Sequence, residues 1–199
     1  MTVVTISRQL GSLGFEVANA AAERLQFRLV QRELINEAAR RAGVPDLALA
    51  TIDELGLLGL KPTIQEQRAY HRALVQVMDE LANEGRYVIV GRAGQAILHG
   101  RAGALHVRVI APMSLRIERI MQRQAISAEA AKAQIEASDH SRRVFLRRFY
   151  ASDWDSAELY DLVINTEKID PHTAAELICD VLSRQGGNNT SEKKHVCID

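Results

Sequence analysis

The stretch that most constrains this chain is Val3 to Val17, VVTISRQLGSLGFEV. Its β-branched opening, Val3 to Ile6, has the composition of a buried strand. Glycines at 11 and 14 then mark a turn, and Val17, Ala18, Ala21, Ala22 and Leu25 follow at helical spacing. A strand, a glycine turn and a helix start together can cradle an anion. The first N–H groups of a helix have no intrahelical partner, and the macrodipole is positive at that end. An ordinary strand–turn–helix without a ligand has the same pattern, so this stretch alone leaves both readings open.

The cradle has no lysine. The pattern G-x-x-x-x-G-K-[ST] places Lys on the β- and γ-phosphates and a hydroxyl on Mg²⁺. Laid on it, Gly14 takes the lysine position and Phe15 the hydroxyl position. Arg8 leaves the strand beside the turn. It can supply the missing charge, or it can brace the loop through a carboxylate.

The 25 basic and 25 acidic residues cancel, so charge does not mark the chain as a nucleic-acid or membrane binder. Cys179 and Cys197 show neither metal-ligand nor C-x-x-C spacing, and six scattered histidines show no zinc spacing. No apolar run approaches the ~20 residues that span a bilayer, and a cytoplasmic location is expected. The pattern predicts strands at 27–30, 87–90, 105–110 and 160–165. It predicts helices at 32–42, 64–84, 112–123 (with Pro112 at its first position), from a Ser127 cap towards Phe149, and from Asp170-Pro171. Residues 46–60 read as a helix fraying into a loop. Alternating strands and helices imply a parallel sheet of about five strands in an α/β fold, with ligands beyond the strands' carboxyl ends. Residues 186–199, GGNNTSEKKHVCID, carry no apolar period and are expected to form a disordered tail after a domain spanning 1–185.

Five segments in order resemble the cytidylate kinase-like proteins, a branch of the P-loop nucleoside monophosphate kinases. They are ISRQLGS (Ile6 to Ser12), RELINEAARRAG (Arg32 to Gly43), VIVGRAG (Val88 to Gly94), APMSLRIERIMQR (Ala111 to Arg123) and the segment from Ser138 to Thr166. The resemblance implies a three-layer kinase fold with an acceptor-side helical region near 31–84 and a helical lid near 122–158. It also implies ATP, with Mg²⁺ held mainly by phosphates, and a cytidylate-like acceptor. The family's version of the loop carries glycine in place of lysine. Two departures stand near the expected reaction centre: Phe15, and Leu29-Val30-Gln31 where relatives have an aromatic pair and an aspartate.

Under this resemblance the loop residues Gly11, Ser12, Leu13 and Gly14, with Arg119 and Arg123, bind the nucleotide. Arg32, Arg92 and Asp139 bind the acceptor, and Arg8, Arg142 and Arg143 supply charge for transfer. Each has a plainer reading. Arg92 can pair with a surface carboxylate, and Asp139 and Arg142 at i,i+3 can form a helix-surface ion pair. Arg116, Arg119, Arg123, Arg142, Arg143, Arg147 and Arg148 can simply line a solvated face. Ser12 is the nearest alternative Mg²⁺ ligand to the missing hydroxyl, and Trp154 is expected to pack the base of the lid. The expected partners are small nucleotides, with no nucleic acid, no membrane and no protein partner indicated. The rival to a kinase is a catalytically inactive nucleotide sensor on the same fold.

Overall fold

The computed structural model describes residues 2–43 and 63–191; the side chains of Arg32, Ile35 and residues 186–191 are not part of that description. The segment 46–60 therefore lies outside the described residues. The strands are β1 (Val3–Arg8), β2 (Arg28–Val30), β3 (Tyr87–Val90), β4 (Ala104–Ile110) and β5 (Leu162–Asn165). The helices are α1 (Gly14–Leu25), α2 (Arg32–Ala42), α3 (Ile64–Glu84), the short α4 (Gly94–Ile97), α5 (Met113–Gln124), α6 (Ala128–Tyr150) and α7 (Pro171–Ser191). All strand pairs are parallel, in the order β2-β3-β1-β4-β5.

The two-residue period of β1 and β3 explains the layers. Val3, Tyr87 and Ile89 face one core with Leu34, Tyr70, Leu74 and Met78 from α2 and α3. Val4, Ile6, Val88 and Val90 face the other, against Val17, Ala18 and Ala21 of α1 and Ala174 and Ile178 of α7. A strand buried on both faces must be apolar at every position, and β3 is buried throughout. β1 lies centrally, paired with β3 through Val3–Tyr87 and with β4 through Val3–Ala104. Its carboxyl end, at Arg8, therefore emerges between the loops that follow β3 and β4.

Several boundaries differ from the sequence pattern. β2 begins at Arg28. β5 begins at Leu162, because Tyr160 closes a 3₁₀ turn over Ala157–Leu159. Pro112 is the residue before α5 and not its first, since its ψ of 146° is extended. α7 runs to Ser191, six residues past Gln185, where composition placed the start of the tail. A helix already nucleated on the core adds a hydrogen bond with each residue it extends.

Candidate phosphate-binding site

The loop between β1 and α1 is held by its neighbours. Ser12 Oγ donates to the Gln9 carbonyl at 2.8 Å, and Gln9 Oε1 accepts from the Ala111 N–H at 3.1 Å, tying the loop to the end of β4. Arg116 Nε donates to the Leu10 carbonyl at 2.7 Å. Arg119 Nη1 donates to the Gly11 carbonyl at 3.2 Å and to Thr166 Oγ1 at 3.0 Å, while Thr166 Oγ1 donates to the Ser12 carbonyl at 2.9 Å. Three successive carbonyls are thus held by side chains of α5 and of the turn after β5. That fixes each peptide plane and so the direction of its N–H. Leu13 then enters α1 at φ 58°, a left-handed conformation uncommon for a leucine.

A cavity of about 510 Å³ opens over this loop. Of the residues expected at the site, it is lined by Gly11, Leu13, Gly14, Arg8, Arg119, Arg123 and Arg142. Four arginines face it against one carboxylate, Glu16, which pairs with Arg123 at 3.0 Å. Burial pushes the Arg119 pKa down, with the charges of Glu16 and Glu118 opposing it. The balance of charge suits a polyanion.

The Arg8 side chain fills the space beside Gly14. A Cβ on Gly14 would stand 2.4 Å from Arg8 Cβ, and a Cβ on Gly91 would stand 2.7 Å from Arg8 Nη1. The Arg8 side chain therefore runs from the cradle to the start of the turn after β3. In that turn Gly91, Arg92 and Ala93 all have positive φ, at 78°, 55° and 56°. Arg92 is placed at the strand end as expected, in a strained conformation of the kind that collects at functional loops.

Three of the expected residues are engaged within the protein. The Ser12 side chain is fully buried and turned to Gln9, so its hydroxyl braces the loop and does not face the cavity as a metal ligand. Arg143 is drawn to Asp155 and lies outside the cavity lining. Asp139 is buried against Arg116, Oδ2 to Nη2 at 2.8 Å, and its Oδ1 is 3.7 Å from Arg142 Nη1. Arg116 accordingly lies inside the protein and not on a solvated face. The Arg32 side chain lies outside the described residues. Arg142 reaches the cavity while donating to Ser138 Oγ at 2.6 Å.

Sequence reasoning missed one buried network. Arg108 of β4 donates to the Trp154 carbonyl and to Asp155. Its guanidinium stacks over the Trp154 ring at 4.4 Å, and Trp154 Nε1 donates to Ser7 Oγ at 2.9 Å. This network pins the segment that follows α6 to the end of β1. Trp154 is packed there, 1% exposed. The available signal was His106 and Arg108 two apart in an apolar strand, polar groups that a plain core face lacks. The roles of Thr166 and Arg116 left no such mark.

The residues present fit a nucleotide's phosphates. Phe15, 42% exposed beside the cavity, offers no oxygen, and among the described residues no group of three His, Cys, Asp or Glu could hold a metal ion.

Residues 3–168 match the cytidylate kinase-like family. A cytidylate kinase from Ignicoccus hospitalis is 30% identical over 179 residues, covering 89% of this chain and 97% of the relative. One from Halobacterium salinarum is 27% identical over 180 residues, covering 90% and 88%. A uronate isomerase from Corynebacterium glutamicum is 24% identical over 154 residues, 77% of this chain, which spans only 29% of that protein's length. Among solved structures, an uncharacterized protein from Eubacterium ventriosum superposes with a TM-score of 0.73 at 22% identity, covering 92% of this chain and 99% of the other. A shikimate kinase from Acinetobacter baumannii, in complex with shikimate, gives 0.52 at 14% identity, covering 92% and 94%. At these identities the two structures speak for the fold alone, an α/β fold with a parallel sheet.

Proposed function

The chain belongs to the cytidylate kinase-like family, and from that premise we propose that it moves the γ-phosphoryl group of ATP to a cytidylate-like nucleoside monophosphate. One observation carries the reading. At the carboxyl end of a parallel sheet, a glycine loop shares a single cavity with arginines from β1, α5 and α6. Phosphoryl transfer asks a protein mainly for positioning and for cations around the equatorial oxygens. The loop N–H groups and Arg119 and Arg123 suit the donor phosphates, Arg92 at the end of β3 suits the acceptor phosphate, and Arg142 on the lid helix suits the transferring group. ATP carries the phosphoryl group, and the chain's own residues orient it and shield it from water.

The test is a coupled assay of ATP with CMP, dCMP, UMP and AMP, with and without Mg²⁺, beside thermal shifts for each nucleotide. CMP or dCMP should be phosphorylated. Arg142→Ala should lower kcat at least about tenfold, a modest share of what an arginine supplies in phosphoryl transfer, with a smaller effect on ATP affinity. Arg92→Lys keeps the charge and loses the planar fork, so acceptor affinity should weaken more than ATP affinity. Undiminished turnover in Arg142→Ala overturns the lid-arginine role. Binding of both nucleotides without turnover in the parent chain overturns the enzyme reading in favour of a nucleotide sensor.

A further inference from the structure

We infer that the cradle's cation has been transposed: Arg8, on the strand side of the loop, takes the place that a lysine on the helix side holds in the ordinary pattern, and it stands between the donor and acceptor phosphates. The inference rests on the kinase reading above and deepens it.

With the lysine of G-x-x-x-x-G-K laid on residue 14, the first glycine of the pattern falls on residue 8. This chain has the two exchanged, arginine at 8 and glycine at 14. Gly14 is not among the residues with positive φ, so its backbone does not call for glycine. Space does. A Cβ there would lie 2.4 Å from Arg8 Cβ and 3.0 Å from Arg8 Cγ, well inside the ~3.5–4.0 Å at which carbons pack. The gap between strand end and helix start takes one long side chain, from one side or the other.

The far end of Arg8 makes the second half of the case. Its Nη1 lies 2.7 Å from where a Gly91 Cβ would be, and Gly91 sits at φ 78°. Glycines thus flank both ends of one side chain, one in the donor loop and one beside Arg92 in the turn after β3. A planar guanidinium at that junction can grip oxygens of two phosphates at once, a geometry an ammonium point charge does not impose.

Calorimetric titration with inorganic tripolyphosphate, ATP–Mg²⁺ and CMP tests this on the full chain, with melting curves to verify folding. Arg8→Gly should weaken tripolyphosphate binding about 10- to 100-fold, the equivalent of one charged hydrogen bond. Gly14→Lys alone should also weaken it, because the new side chain collides with Arg8. The double variant, which restores the ordinary order of glycine and cation, should recover tripolyphosphate affinity relative to Arg8→Gly. Gly91→Ala should displace the guanidinium and weaken CMP more than tripolyphosphate. If Arg8→Gly does not fold, Arg8→Lys must weaken CMP binding, and unchanged affinity there overturns the inference. So does a folded Arg8→Gly that binds tripolyphosphate like the parent, or a folded double variant that binds no better than Arg8→Gly. Tripolyphosphate has no base or sugar, so the two readings fail separately. Loss of its binding in Arg8→Gly, with no turnover of any nucleotide by the parent chain, overturns the kinase reading and leaves the transposed cation standing. Parental binding alongside normal turnover overturns only the transposed cation.

Discussion

Removing the carboxylate at 139 distinguishes a brace from a substrate ligand. The Asp139 and Arg116 side chains are 5% and 3% exposed, paired at 2.8 Å, and Arg116 also holds the Leu10 carbonyl. Asp139→Ala strands a guanidinium where water cannot reach it. Breaking a buried pair from one side costs about 3–5 kcal/mol. At ~2–4 °C per kcal/mol for a chain of this size, the melting temperature should fall by about 6–20 °C. Replacing both partners, Arg116→Met with Asp139→Leu, removes both charges and should recover part of that loss. Recovery is incomplete because the Leu10 carbonyl loses its donor, at a cost of about 1–3 kcal/mol. Urea unfolding followed by the fluorescence of Trp154, the chain's single tryptophan, reads these changes as shifts of midpoint at constant slope. If Asp139→Ala unfolds at the parent's midpoint and only weakens monophosphate binding, the brace argument is refuted. Asp139 would then act as the acceptor ligand that the family resemblance implied.

Acid should loosen the segment that follows α6. Burial raises the Asp155 pKa, but hydrogen bonds from Arg143 and Arg108 outweigh it and leave the carboxyl below its ordinary value. Its stabilising contribution is therefore complete above the unfolded pKa of about 3.9 and is lost as pH falls through the lower native value. Trp154 fluorescence should change over that acid range in the parent, and Asp155→Asn should show the loosened signal already at neutral pH. Thr166→Val removes the donor to Ser12 and the acceptor for Arg119. It should cost about 1–3 kcal/mol and raise the KM for ATP more than it lowers kcat; a purely structural role would leave KM unmoved. Truncation after Gln185 should leave the melting temperature within error, because Ala174, Ala175, Ile178 and Leu182, the apolar residues that α7 buries among those whose side chains are described, precede it.

Local pattern was enough to read the strand–glycine–helix start, the buried alternation of β1 and β3, and the Ser127 cap, which accepts from the Ala130 N–H. Each depends on neighbours within a few residues, where side-chain type and backbone preference act directly. The order of segments also carried the family, because relatives keep the same pieces in sequence. The destinations of the long charged side chains could not be read this way. Arg8, Arg116, Arg142 and Arg143 look alike in the sequence, yet one fills the gap beside Gly14, one is buried under the loop, one reaches the cavity and one is held by Asp155. A guanidinium on a flexible stem goes to whichever carboxylate or carbonyl the fold brings near. Those partners, Leu10 for Arg116 at 106 residues' separation and Asp155 for Arg108 at 47, meet only when the sheet closes. Chain order therefore determined the scaffold and the class of chemistry. The packing of α5 and of the segment after α6 onto the end of β1 decided which arginines face the cavity, because charge pairing is a matter of distance in space.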